Sequence, residues 1–365
     1  MKIGILTFHR AINFGAVLQC YALYRTLTDM GHDVEVIDYR PVYVEKYRQL
    51  LYWNDFKKQK LLSKIKTLLL LPFKYKNKRR STSVFDVFIN QHIKTTNVVK
   101  NVNDVPSFDV VFFGSDQIWN PLICKGLDPL FYGQFPKGKT KLVSYAASLG
   151  TPQVLTQEQW DKIFPLLRSF DNVSVRESKL AEYLQGGGIK AQTVLDPTLL
   201  ASKEIFEKVV EKPREKGYVL LYMLEQDYNA IKFANNIAKQ KNLKLIRIRA
   251  YSSVSIKKTN YDEVIPKSVG EFLGYFKYAD YVVNVSFHGT AFSVIFNKDF
   301  YTLKSRNFER AYGLLDSLNL LSRFVSSNET VSPTQVNYSD ANEKIIIMRE
   351  LSIAFINNSL ETLRR

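Results

Sequence analysis

The chain has 365 residues, 45% hydrophobic and 24% charged, an ordinary globular composition with enough length for two cores. No run approaches the roughly 20 apolar residues needed to cross a bilayer, and two cysteines without metal spacing give neither a zinc site nor a disulfide framework. The formal charge of +16 is uneven, because residues 40–80 hold thirteen Lys or Arg against only Glu45 and Asp55.

In chain order, KIGILTF reads as a strand, residues 16–30 as an amphipathic helix and VEVIDYR as a second strand. The N-terminus enters a strand pattern directly, with no signal-peptide cleavage region, so a cytoplasmic protein is expected. A basic insertion follows at about 42–95. Within it LLSKIKTLLLLPFKYKNKRR joins a short leucine run to a cationic flank. An anionic membrane surface is the partner this pattern favours, with a solvated basic face as the equal alternative; nucleic acid is not expected, because no binding module is recognisable.

After the insertion come SVFDVFINQHI, expected to be helical, and VVFFGS, an apolar run of the kind buried parallel strands carry. KLVSYAASLG adds a strand, 156–170 a helix capped by Thr156, VSVRES a strand edge, and 179–185 a helix stopped by Gly186, Gly187 and Gly188. Pro197 marks a seam. The alternation then restarts with GYVLLYML, a helix at 228–241, KLIRIRA, a helix at 269–278, YVVNVS and DFYTL, before a last helix at 343–363. The expected fold is α/β, two Rossmann-like domains facing a cleft. The divisions are 1–198, 199–340, and a C-terminal helix at 341–365 that packs back on the first domain.

Several polar groups fall where strands end, which is where α/β proteins bind ligands. The run YVVNVSFHGTAFSVIFN reads as strand, tight turn and helix, with Ser286, His288, Gly289 and Thr290 in the turn. His288 titrates near neutrality and suits proton transfer; a histidine that merely packs the turn is the competing reading at even odds. The first loop holds His9, Arg10, Asn13 and Gly15 and lacks the GxGxxG of a dinucleotide site, so no nicotinamide or flavin cofactor is expected. GSDQIWNP gathers Asp116, Gln117, Trp119 and Asn120, the carboxylate, amide and indole that sugar recognition uses, although a capped turn with a core tryptophan also fits. Arg176 can bind a carboxylate or phosphate in two-point fashion, or merely pair with Glu177 or Asp196. Lys304, Arg306 and Arg310 form a second cationic cluster after DFYTL.

Together NFGAVLQ, FGSDQIWNP, SYAASLG, SVRES with VLDPTLL, and SFHGTAFSVIFNKDF followed by Arg310 resemble the polysaccharide pyruvyl transferase family, in order, from about residue 3 to about residue 323. The resemblance implies a GT-B-like fold, with the first domain on the acceptor side and the second on the donor side. It implies transfer of the pyruvyl group of phosphoenolpyruvate to two neighbouring sugar hydroxyls as a ketal. Phosphoenolpyruvate is a co-substrate, and neither cofactor nor metal is expected. On this reading His288 carries the proton and Asp116 orients or deprotonates an acceptor hydroxyl. Arg176, Gly289, Thr290 and Ser286 hold the donor, and Asn13, Gly15, Gln117, Trp119 and Asn120 face the acceptor. Some members have an arginine where this chain has Ser286, so Lys304 or Arg310 is expected to replace its charge. The family's usual acceptors are lipid diphosphate-linked glycans assembled at the inner membrane face, which gives the basic insertion a use. A nucleotide-sugar glycosyltransferase of the same architecture is the alternative enzyme, and a glycan-binding protein the alternative of another class.

Overall fold

The computed structural model describes residues 1–48, 56–57, 63–64, 82–150, 152–249, 261–305 and 308–361. Most of the basic insertion, including Lys74, Lys76, Lys78, Arg79 and Arg80, lies outside the described residues, as does Arg306. Among the described residues no helix is long and apolar enough to cross a membrane.

The first sheet is built from β1 (Lys2–Leu6), β2 (Asp33–Tyr39), β3 (Thr95–Val99), β4 (Val110–Phe113), β5 (Lys141–Ala147), β6 (Asn172–Val175) and β7 (Ala191–Thr193). Its order is β3-β2-β1-β4-β5-β6-β7, with every pairing parallel. The second sheet contains β8 (Tyr218–Tyr222), β9 (Lys244–Ile248), β10 (Asp262–Val264), β11 (Tyr281–Asn284), β12 (Phe300–Leu303) and β13 (Phe324–Val325). It runs β10-β9-β8-β11-β12-β13, again all parallel. Helices cover both faces of such sheets, so the strand interiors are apolar throughout: VVFF, YVLLY and YVVN are buried at every position. Strand order reverses beside β1 in one sheet and beside β8 in the other, and the loops there open a crevice.

The two domains share one apolar core. The first helix, Phe14–Asp29, lays Phe14 flat on Phe272 of the second domain with ring centroids 4.1 Å apart. The helix starts two residues earlier than periodicity suggests, because the Asn13 side chain accepts hydrogen bonds from the Gly15 and Ala16 N–H groups. The C-terminal helix, Ser339–Glu361, returns to the link between the domains. Arg349 donates to the Leu199 and Ala201 carbonyls, and the Leu195 N–H donates to Ser352 Oγ. Phe355 of the same helix meets Tyr145 of β5. The free thiols Cys20 and Cys124 are both buried, the latter at the end of the short helix Pro121–Cys124.

Candidate active site

Both sheets send their carboxyl edges toward the seam between the domains. From the second domain, β11 ends at Asn284 and the helix Phe287–Ile295 begins, capped by Ser286 Oγ accepting from the Gly289 N–H at 3.0 Å. Asn284 braces this turn, accepting from the Ser286 N–H and from Thr290 Oγ1. His288 therefore stands in the first turn of a helix, 9% exposed, with Nε2 buried and unpaired. The opposing wall is Gly15, where an added Cβ would lie 2.1 Å from His288 Nδ1.

From the first domain, Arg176 directly follows β6, and Asp196 stands three residues beyond the end of β7. The Asp196 carboxylate is wholly buried: Oδ1 accepts from the Thr198 N–H and Oγ1, while Oδ2 accepts from Ser115 Oγ and from Arg176 Nη1 at 2.9 Å. Arg176 Nε donates to Glu177 Oε1, which Ser148 Oγ also reaches at 2.6 Å. The guanidinium lies 4.7 Å from the Phe287 ring of the second domain. Its Nη2 is buried without a hydrogen bond, 3.8 Å from Asp116 Oδ1, and Glu177 Oε2 is likewise buried and unpaired.

A cavity of about 320 Å³ opens between these elements, lined by Arg176, Glu177 and Asp196 on one side and by Phe287 and Arg310 on the other. Arg310 is half-buried and makes no hydrogen bond or ion pair among the described residues. Burial pushes its pKa down, and so does the like charge of Arg176. Burial also opposes the charge on Arg176, but Glu177, Asp196 and Asp116 together hold that guanidinium above its ordinary pKa. Asp196 stays below the usual carboxylate range despite burial, because Arg176 and then His288 favour its charge. Burial lowers the His288 pKa, against the pull of Asp196 and Asp116 and with the push of Arg176 and Arg310. The seam therefore holds a neutral imidazole, two guanidiniums that line one cavity, and three buried polar atoms without partners among the described residues. Such orphaned atoms cost about 1–3 kcal/mol each when nothing satisfies them, and at a cavity they mark where a ligand's polar groups belong.

Of the residues expected from sequence, His288, Arg176 and Arg310 come together where the domains meet. Asp116 is beside Arg176, but its Oδ1 accepts from the Gln117 N–H and it does not line the cavity, whereas Glu177 does. Several others hold the scaffold instead. Trp119 is 2% exposed, donates Nε1–H to the Phe131 carbonyl and stacks beside Tyr132, so it offers no face to a sugar. Asn120 caps the Pro121 helix through the Leu122 N–H and donates to Gln117 Oε1, which engages the Asn120 amide and the Gln117 oxygen. The Thr290 hydroxyl is enclosed by Asn284, Ser286 and Thr302, and the Gly289 N–H is taken by the cap, so neither is free for a donor oxygen. Ser286 and Asn13 are caps. Lys304 is exposed, lies over the Phe308 ring at 5.2 Å and does not line the cavity; Arg310 is the cation that faces it.

Sequence reasoning named Glu177 and Asp196 only as alternative partners for Arg176, and both pairs form, but it missed that these carboxylates line the cavity. The Asp-Pro-Thr start of the helix Pro197–Leu200 was a readable cap signal, and the cap's second oxygen holds Arg176, the pairing the sequence offered as an alternative to ligand binding. The His9 and Arg10 side chains of the first loop are turned away into a buried network on Asp38 that also takes in Arg40.

Comparison with known proteins bears on the fold and the family. Among solved structures, a UDP-N-acetylglucosamine 2-epimerase from Rickettsia bellii is similar at 11% identity and a TM-score of 0.50, covering 100% of this chain and 98% of its own. The S. aureus protein MnaA in a UDP co-structure matches at 11% identity and TM-score 0.48, covering 94% and 87%. The glycosyltransferase SnogD from Streptomyces nogalater matches at 7% and 0.43, covering 100% and 99%. At such identities the likeness concerns the fold alone, and the match at a TM-score of 0.50 accords with two parallel-sheet domains in the GT-B arrangement. No curated protein matches the chain. The family model described as polysaccharide pyruvyl transferase matches residues 13–307, a span that takes in Asn13, Arg176, Asp196 and His288, and the chain belongs to that family.

Proposed function

We propose that the protein moves the pyruvyl group of phosphoenolpyruvate onto two hydroxyls of a sugar as a ketal, in a lipid diphosphate-linked precursor of a bacterial surface polysaccharide. The observation that carries this reading is the pair of guanidiniums, Arg176 and Arg310, lining one interdomain cavity, with the buried, unpaired Nε2 of His288 behind its wall, next in the chain to the lining Phe287. A donor with a carboxylate and a phosphate needs two cations, and its enol carbon needs a proton.

The reaction follows from those groups. With the donor's anions on Arg176 and Arg310, His288 takes up a proton and delivers it to the donor's CH₂ carbon. A sugar hydroxyl bonds to the central carbon and passes its proton to a carboxylate, a part Glu177 fills better than Asp116 because its free Oε2 belongs to the cavity wall. The bond from that carbon to the phosphate oxygen breaks, and phosphate leaves with the proton from Glu177. The second hydroxyl closes the ketal and returns its proton to His288. Two hydroxyl protons are lost, one to the new methyl group and one to phosphate.

Incubating the protein with phosphoenolpyruvate and lipid diphosphate-linked oligosaccharides should give phosphate release and an acceptor mass gain equal to a pyruvyl ketal, both abolished in a folded His288→Ala variant. Stabilisation by a nucleotide sugar but not by phosphoenolpyruvate would favour the glycosyltransferase reading, which the fold also accommodates. The reading further places residues 46–80 against anionic lipid. Sedimentation with anionic liposomes should weaken when Lys74, Lys76, Lys78, Arg79 and Arg80 are neutralised, and unchanged binding would reject that attachment.

A further inference from the structure

The donor reading leaves one wall of the cavity unused. The helix Glu309–Ser317 presents Glu309, Tyr312, Gly313 and Asp316 to it, residues spaced i, i+3, i+4 and i+7 on one face. Tyr312 is 40% exposed, yet its ring is fixed by edge-on contacts to Phe308 and Phe324 at 6.2 and 5.5 Å. Beside it, Gly313 has nothing within 4 Å of where a Cβ would stand. A glycine inside a helix weakens it relative to alanine, and here no neighbouring atom requires the missing side chain. What the glycine does provide is room above the helix backbone, inside the cavity, between a rigid aromatic face and two carboxylates.

We infer that this face is a sugar subsite. A pyranose ring lies on Tyr312 over Gly313, its apolar C–H face on the phenol and its hydroxyls toward Glu309 and Asp316. A braced aromatic supplies apolar contact at little entropic cost, and carboxylates are the acceptors that hydroxyl-rich ligands call for. The subsite takes over what Trp119 was expected to do and puts part of acceptor recognition on the second domain, next to Arg310. As acceptor recognition it rests on the pyruvyl transfer reading, but its binding can be tested apart from it.

The test uses the full chain and three probes, the methyl glycosides of glucose, galactose and N-acetylmannosamine, followed by saturation-transfer NMR. At least one should bind the wild type, and Tyr312→Ala and Gly313→Leu should each weaken that binding on the order of tenfold or more. Gly313→Ala should weaken it less while its Tm stays level or rises, a pairing that a purely structural glycine would not give. Binding of no glycoside to the wild type, or equal binding to Tyr312→Ala and Gly313→Leu, would overturn the subsite. The donor reading is followed separately by the thermal shift with phosphoenolpyruvate, which Gly313→Leu should keep. Glycoside binding without that shift in the wild type would remove the donor and leave the subsite standing.

Discussion

Gly15 and His288 touch across the seam between the domains: the imidazole of one lies against the bare backbone of the other, and a Cβ on Gly15 would fall 2.1 Å from Nδ1 and 2.3 Å from Cγ. Gly15 sits in the first turn of a helix, where alanine is conformationally welcome, so the contact rather than the backbone demands glycine. Gly15→Ala must displace the ring or part the domains. Overpacking of this kind costs about 1–3 kcal/mol. A misplacement of about an ångström at a reacting group can cost on the order of 10²-fold in rate. The expected result is a folded protein with kcat down by about that factor, measured as phosphate release. A variant with wild-type kcat would mean that the imidazole's position is not critical.

Asp196 holds Arg176 where the donor's anions would meet it. Asp196→Asn preserves the shape but removes the charge that offsets a buried guanidinium, and breaking such a pair costs about 3–5 kcal/mol. The same change takes away the largest influence favouring a protonated His288. Thermal unfolding should show the loss of stability, and NMR titration should find the His288 pKa lower still. An unshifted histidine would argue that the carboxylate and imidazole do not communicate.

Trp119→Phe separates scaffold from site. Loss of the Nε1–H bond to the Phe131 carbonyl leaves a buried acceptor unpaired, at a cost of about 1–3 kcal/mol. Sugar binding should be untouched, because the indole faces Tyr132 and Phe170 inside the first domain. A glycoside affinity that fell with this variant would return Trp119 to the acceptor site.

The contrast between these residues shows what the sequence could carry. Strands such as VVFF and YVLLY declare themselves, because a parallel strand is buried on both faces and needs no partner information to be recognised. The turn at Ser286–His288 was equally plain, being the polar break at the end of such a strand. The Gly15 contact with His288 and the Asp196 bond to Arg176 join residues 273 and 20 positions apart, respectively. Nothing local encodes the first meeting, and for the second the sequence offered Asp196 only as one of two carboxylates that Arg176 could pair with. Trp119 misled for the same reason: an indole among polar residues looks like a sugar platform until Phe131 and Tyr132, twelve and thirteen residues on, fold over it. Short strands such as β3 and β13 went unread because β3 is polar and half exposed at a sheet edge and β13 is only two residues long.

His288 links stability to pH and, on the proposed reaction, both to donor binding. Burial lowers its pKa below the ordinary 6.5, as it does for His9. The folded state therefore keeps both rings neutral, while the unfolded chain protonates them as pH falls past about 6.5. Their contribution to stability is complete above that value and is lost as pH drops toward the folded-state pKa, well before Asp38 and Asp196, whose folded pKa values lie below 3.8, begin to matter. Urea midpoints measured from pH 8 to pH 5 should decline below 6.5, and His288→Gln should flatten part of that decline. An anionic donor reverses the local balance, because its charge favours imidazolium beside it. Phosphoenolpyruvate binding near neutral pH should then draw a proton from solution, seen as a calorimetric heat that changes with the ionisation enthalpy of the buffer. The His288→Gln variant should lose that dependence while still binding through Arg176 and Arg310. Binding to the wild type with no proton uptake would deny His288 the proton that the transfer to carbon requires.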